Sequence, residues 1–161
     1  MTNTQTTPAT SADPTVAAAA AQFLTPVALG LQALAVNGKQ AHWNVRGANF
    51  IAIHEFLDTV VDHAKDWADQ SAERIVALGL PIDARLSTVA AKATASTVPA
   101  GFTQWDDIVR AVVSDIDTVL VDVKTAIDEL DELDLTSQDI AIGIREGLEK
   151  DRWFLIAHLA E

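Results

Sequence analysis

Apolar residues recur at intervals of three and four along segment after segment of this chain, and no strand-like alternation competes with them, which confines it to packed helices. The first stripe runs from Pro26 to about Val45 through Val27, Leu31, Leu34, Ala35 and Gly38, with Thr25 as cap and Pro26 at the first helical position. A second, behind Asn49, carries Phe50, Ile53, Leu57, Val61, Ala64, Ala68, Ala72 and Ile75 and ends at Leu78 and Gly79. Thr103 with Asp106 reads as a capping box opening a third helix, through Ile108, Val112, Ile116, Leu120, Val123 and Ile127. Thr136 or Ser137 starts a fourth, with Ile140, Ile144, Leu148 and Leu155. Residues 81–101 form a long polar connection with a short helical piece near 87–93, as a bundle needs when successive helices run parallel.

With 161 residues, 49% of them hydrophobic and 21% charged, the chain fits one domain. Four long helices with one crossover predict an all-α, ferritin-like four-helix bundle over residues 25–161, with a short extra helix between the second and third. Residues 1–24 are expected to be a flexible, non-basic tail, with neither the basic region of a secretory signal nor the Arg-rich pattern of a transit peptide, and a cytoplasmic location is expected. The apolar run from Val16 to Val36 is broken by Gln22, Thr25, Pro26, Gly30 and Gln32, which argues against a membrane span. Cys is absent, so no disulfide, thiolate or iron–sulfur cluster can form. The 23 acidic residues against 11 basic give a formal charge of -12, a surface that repels nucleic acid and welcomes cations.

Ligand-type side chains gather around the first turn. His42 lies near the end of the first helix and His54 about one turn into the second, so a short hairpin holds the imidazoles near each other. Along the second helix His54, Asp58, Asp69 and Glu73 fall within an arc of about 100°. The pair His54 and Asp58 is nevertheless roughly 22 Å from the pair Asp69 and Glu73 at 1.5 Å per residue, beyond the reach of one metal site. A second copy packed antiparallel across a two-fold axis near His63 or Ala64 brings the two pairs opposite each other. Two composite sites result, each of two His and three carboxylates. Imidazole and hard carboxylate without thiolate suit iron(II), manganese or zinc. No His has a Glu three positions before it, so the di-iron motif internal to a single bundle is missing, and HEFLD fails as a zinc-protease motif because Asp58 replaces the second His.

The stretch KQAHWNVRGANFIAIHEFLD from Lys39 to Asp58, with Asp69 and Glu73-Arg74 beyond it, resembles the signature of the Dps family of mini-ferritins, and the terminal RWFLIAHLAE is similar to that family's last helix. The resemblance implies a hollow homododecamer in which iron(II) is oxidised, preferentially by hydrogen peroxide, at two-iron sites on two-fold subunit interfaces, with ferric iron stored inside as protection against oxidative damage. It implies His42, Asp69 and Glu73 as metal ligands, His54 and Asp58 as facing partners, and Trp43 as an electron donor or, equally, an interface aromatic. It also implies a three-fold pore lined by carboxylates near the start of the last helix, with Asp134 and Asp139 as the candidates.

Several residues are assigned plainer roles. His63 and His158 match no ligand position, and His63, near the proposed axis, is expected at an interface. Trp67, Trp105 and Trp153 are expected to pack in the core or between subunits. The family's DNA-binding members use basic tails, whereas residues 1–38 here carry no Lys or Arg, so binding to DNA is not expected. Two alternatives use the same chemistry: a two-metal hydrolase, and a non-catalytic structural shell.

Overall fold

The computed structural model describes residues 13–160. In chain order it contains α1 (Pro14–Asn44), β1 (Val45–Arg46), α2 (Phe50–Ala77), α3 (Leu86–Lys92), β2 (Thr103–Gln104), α4 (Trp105–Leu130) and α5 (Leu135–Ala157). Helix α1 packs against α2 and α4, α5 closes on α4 and α2, and the short α3 leans on α1. The predicted four-helix bundle, with its extra helix in the crossover, is the observed fold.

The start of α1 corrects the sequence reading. The helix begins at Pro14, not Pro26, so residues 14–24 belong to the bundle, while the rest of the expected tail, residues 1–12, lies outside the described residues. Asp13-Pro14 has the same cap-then-proline form as Thr25-Pro26, and the Asp13 carboxylate accepts a hydrogen bond from the Thr15 N–H at 2.7 Å. Pro26 is tolerated inside the helix because the buried stripe runs through it unbroken: Ala17, Ala20, Leu24, Val27, Leu31, Leu34, Gly38 and Ala41 alternate steps of three and four. That stripe also accounts for the apolarity of α1. The helix is long and apolar enough to cross a membrane, yet its inward face is core, with Leu24, Leu31 and Leu34 buried.

The turn after α2 is as expected. Gly79 adopts φ 91°, Gly79 N–H donates to the Val76 carbonyl at 2.9 Å and Leu80 N–H reaches the Ile75 carbonyl at 3.3 Å, satisfying the helix's last carbonyls. The capping box at Thr103 does not form. Thr103 pairs instead with Val45, and Gln104 with Arg46, in a two-residue parallel bridge, so α4 opens at Trp105. This bridge pins the crossover to the α1–α2 turn. The buried face of α4 also differs from the expected one: Val119, Ala126 and Leu130 are inward, while Leu120 and Ile127 are only partly covered.

Small residues set the closest approaches. A Cβ at Gly38 would stand 3.0 Å from Val61, which draws α1 onto α2 beside the histidines. A Cβ at Gly147 would lie 2.1 Å from the Trp67 ring, so this tryptophan seats itself in α5 only because a glycine is there. Gly147→Ala is therefore expected to destabilise the protein by about 1–3 kcal/mol through overpacking. Gly143→Ala, where the new methyl meets nothing within 4 Å, is expected to stabilise it by about 1 kcal/mol. Thermal denaturation of the two variants beside the parent checks both signs.

Candidate functional site

The α1–α2 hairpin is clasped by its two histidines. His42 Nδ1 lies 2.7 Å from the His54 carbonyl oxygen, and His54 Nδ1 lies 2.9 Å from the His42 carbonyl oxygen. A carbonyl can only accept, so both Nδ1 atoms carry a proton, and in the neutral rings this arrangement leaves the lone pair on Nε2. The rings stack with centroids 3.7 Å apart, and Phe50 stacks on the outer side of His54 at 4.9 Å. The backbone thus fixes the tautomer that a metal-binding imidazole needs, as a hydrogen-bond acceptor behind a ligating ring does in metal sites generally.

Asp58, one turn further along α2, stands beside this pair. Its carboxylate is 3.2 Å from His42 Nδ1 and is held directly by the Lys39 ammonium. The Lys39 hydrogen bond, together with the Lys39 charge, keeps the Asp58 carboxyl below its ordinary range despite some desolvation. Lys39 went unassigned in the sequence reading. Its signal was there: it is the first basic residue in the chain and lies three residues before His42, hence on the same helix face.

Asp69 and Glu73 do not join this group within the chain. Both are exposed on α2, and among the described residues no three metal-ligand side chains converge on one point. Between the two ends of the α2 ligand row runs a groove of about 560 Å³ shared by α1 and α2, with Trp43 at the histidine end and Asp69 near the other. Its wall is apolar, through Ala35, Val36, Val61, Ala68 and Ala72, and Val36 and Trp43 are well exposed.

Comparison with known proteins places this arrangement. The family model for the ferritin-like domain matches residues 30–161. The DNA protection during starvation protein of Agrobacterium fabrum (strain C58) is 36% identical over 129 residues, covering 80% of each chain. The protein of that name from Mycolicibacterium smegmatis is 37% identical over 131 residues, covering 75% of this chain, which spans 66% of that relative's length. The structure of Dps from Microbacterium arborescens in the high iron form superposes with a TM-score of 0.93 at 71% identity, covering 95% of this chain and 100% of that one. The chain belongs to the Dps family of ferritin-like proteins.

In this Dps chain the remaining candidate residues fall into different settings. Asp139 is exposed on the first turns of α5, but Asp134 is not a free carboxylate. Arg74 Nη2 donates to Asp134 at 2.7 Å, Arg74 Nε donates to Ser137 Oγ at 3.0 Å, and the Ser137 hydroxyl donates to Asp134 in turn. Burial alone would raise the Asp134 carboxyl, but these donors hold it below the usual carboxylate range. Asp134 thus ties the start of α5 to the end of α2, which leaves Asp139 as the open candidate for a pore. His63 faces α5 within its own chain. Its Nδ1 bonds the buried Asp151 at 2.9 Å, and its ring lies 5.2 Å from Trp67. This partner lies 88 residues away in sequence and has no signal in the spacing. Trp67 and Trp105 pack on the core, whereas Trp153 is largely exposed.

The Arg74–Asp134–Ser137 link generates a pH prediction. Because the folded pKa of Asp134 is depressed, its contribution to stability is complete above the ordinary carboxylate value of about 4 and is lost as pH falls through the folded value. Asp134→Asn is expected to cost roughly 2 kcal/mol at neutral pH. That difference from the parent should shrink as pH drops below about 4, measured by denaturant unfolding over a pH series.

Proposed function

We propose that this Dps family member is a ferroxidase: it oxidises iron(II), preferentially with hydrogen peroxide, and stores ferric iron inside a hollow homododecamer in the cytoplasm, protecting against oxidative damage. The reading rests on one observation above all. Two stacked imidazoles have their Nδ1 atoms committed to backbone carbonyls, and the α2 row that begins with one of them, His54, ends about 22 Å away in two exposed carboxylates without a partner among the described residues. One chain cannot bring these halves together. A second copy laid antiparallel on the apolar α1–α2 groove can, giving two sites per dimer with His42, His54 and Asp58 from one chain and Asp69 and Glu73 from the other.

At such a site the substrate is iron(II). Neutral imidazole nitrogens and carboxylate oxygens bind it, and the carboxylates favour the more highly charged iron(III) product. Two iron(II) ions give up one electron each; hydrogen peroxide takes both with two protons and leaves as two waters. The pairing of irons matters because a single electron passed to peroxide releases hydroxyl radical. Trp43, next to His42 and exposed in the groove, is placed to donate an electron to a stray oxidant. Asp139 supplies the carboxylate of an iron pore, where a ring of such charges concentrates cations. Duplex DNA is not a partner, since the chain carries a formal charge of -12 and no basic residue before Lys39.

Lys39 tempers the site. Its ammonium occupies the Asp58 carboxylate that iron(II) needs, so binding requires its displacement. Lys39→Met is expected to tighten iron(II) binding by about tenfold, equivalent to roughly 1.4 kcal/mol. Anaerobic titration of the assembled protein measures this, and an unchanged affinity would remove Asp58 from the ligand set.

Co-assembly of two inactive variants tests the shared site. Shells of His42→Ala/His54→Ala and shells of Asp69→Ala/Glu73→Ala each lose half of every site and are expected to be nearly inactive. In a mixed dimer one site carries all the substitutions and the other carries none. Random co-assembly of equal amounts should therefore restore about a quarter of the parent's initial iron(II) oxidation rate, because half the dimers are mixed and each regains one of two sites. No recovery over either variant alone would reject a site shared between chains.

A further inference from the structure

A second cleft, of about 550 Å³, lies between α1, α4 and the segment after α3, and it shares no residue with the α1–α2 groove. Its walls mix apolar side chains, Leu29 and Leu34 from α1 and Val119 from α4, with polar ones such as Thr25, Asn37 and Thr118. Two carboxylates on α4, Asp115 and Asp122, line it seven residues apart and hence on one face of the helix, with roughly 10 Å between them along the axis. Their settings differ. Asp115 accepts a hydrogen bond from the Ser96 hydroxyl at 2.5 Å. Asp122 has no hydrogen-bond or ion-pair partner among the described residues, and its Oδ2 approaches Gly30 of α1, 3.8 Å from where a Cβ would stand. A side chain at position 30 would narrow the space that this carboxylate uses.

A half-buried carboxylate with no partner is costly, and desolvation raises the carboxyls of both residues. Lys92 borders the cleft but pairs with neither, so the cleft carries one negative charge more than positive. One metal ion cannot use both carboxylates, since their separation is several times a metal–oxygen bond length. What matches two anions at that spacing, with Val119 and Leu29 beside the hydroxyl of Thr118 on the walls, is an aliphatic chain ending in ammonium groups. We propose that this cleft binds an aliphatic polyamine, one terminal ammonium on Asp122, the methylene chain against Val119 and Leu29, and the other end at Asp115.

The test is calorimetric titration of the assembled protein with spermidine at near-physiological salt, where weak attraction to exposed carboxylates is screened. Saturable binding is expected in the parent. Asp122→Asn should weaken it at least tenfold, and Ala33→Phe, which places a ring in the cleft, should abolish it. Glu129→Gln, an exposed charge removed from the same helix outside the cleft, should leave it unchanged. Thermal denaturation supplies the second readout: spermidine should raise the melting temperature of the parent and not that of Asp122→Asn, whose own melting temperature without ligand should equal or exceed the parent's because an unpaired carboxylate is gone. Absence of saturable binding, retention of parental affinity in Asp122→Asn or Ala33→Phe, or equal weakening by Glu129→Gln would each overturn the proposal.

Discussion

The reciprocal hydrogen bonds between His42 and His54 do two jobs with the same four atoms. Each imidazole donates to the other residue's carbonyl, so the end of α1 and the first turn of α2 are tied side chain to backbone in both directions. The His42 carbonyl belongs to the last turn of α1, where helix ends leave carbonyls short of partners, and the His54 imidazole satisfies it. Closing the hairpin in this way sets the register of the two longest helices. It also orients both Nε2 lone pairs away from the backbone that holds the rings. Structural and chemical roles therefore cannot be separated at these positions: a side chain that kept only the hydrogen bond would keep the turn and lose the ligand.

From that clasp the helices diverge only as far as their side chains allow. The stripe on α1 alternates steps of three and four from Ala17 to Ala41, and α2 answers with Ile53, Leu57, Val60, Ala64, Ala68 and Ile75. Gly38 removes the side chain that would stand off Val61, which brings the helices close within one turn of His42. Site geometry is thus set by rigid helices rather than by loops, the arrangement that holds ligands most accurately. The bridge of Val45 with Thr103 adds a brace from the crossover, so the histidine end of the bundle is fastened from two sides.

The helices and the ligand row were legible because periodicity and spacing are local properties, and local properties survive in the sequence. His42, His54 and Asp58 are together because a short turn joins their helices. What failed depended on competition or on distance in the chain. Two cap-and-proline signals, at Asp13-Pro14 and Thr25-Pro26, were equivalent in form, and only the continuity of the buried stripe chose between them. Thr103 had the form of a cap but found a strand partner 58 residues earlier, at Val45. On α4, following every fourth residue from Ile108 to Leu120 drifts about 40° per step, whereas the alternating steps through Ile116, Val119, Val123 and Ala126 hold one face. The partners of His63 and Asp134, on α5 and α2, could not be read from spacing at all.

Asp134 and Asp139 show why an acidic composition is a poor guide to which carboxylates act. Five residues apart, they differ in what they touch: one is enclosed by a guanidinium and a hydroxyl, the other faces solvent. The same division runs through the molecule, with Asp151 committed to His63 and Asp117 to Arg152, and Asp69 and Glu73 exposed without a partner among the described residues. The formal charge of -12 draws cations to the surface without choosing among them, and its reach ends within about 8–10 Å at ordinary salt. Choice begins where a cation must shed water and accept imidazole nitrogen beside carboxylate, a demand that calcium and magnesium meet poorly and iron(II) meets well. The exposed carboxylates Asp69 and Glu73 are therefore informative because their row on α2 begins with His54, one of the two oriented imidazoles, and the many other acids on the surface lie on no such row.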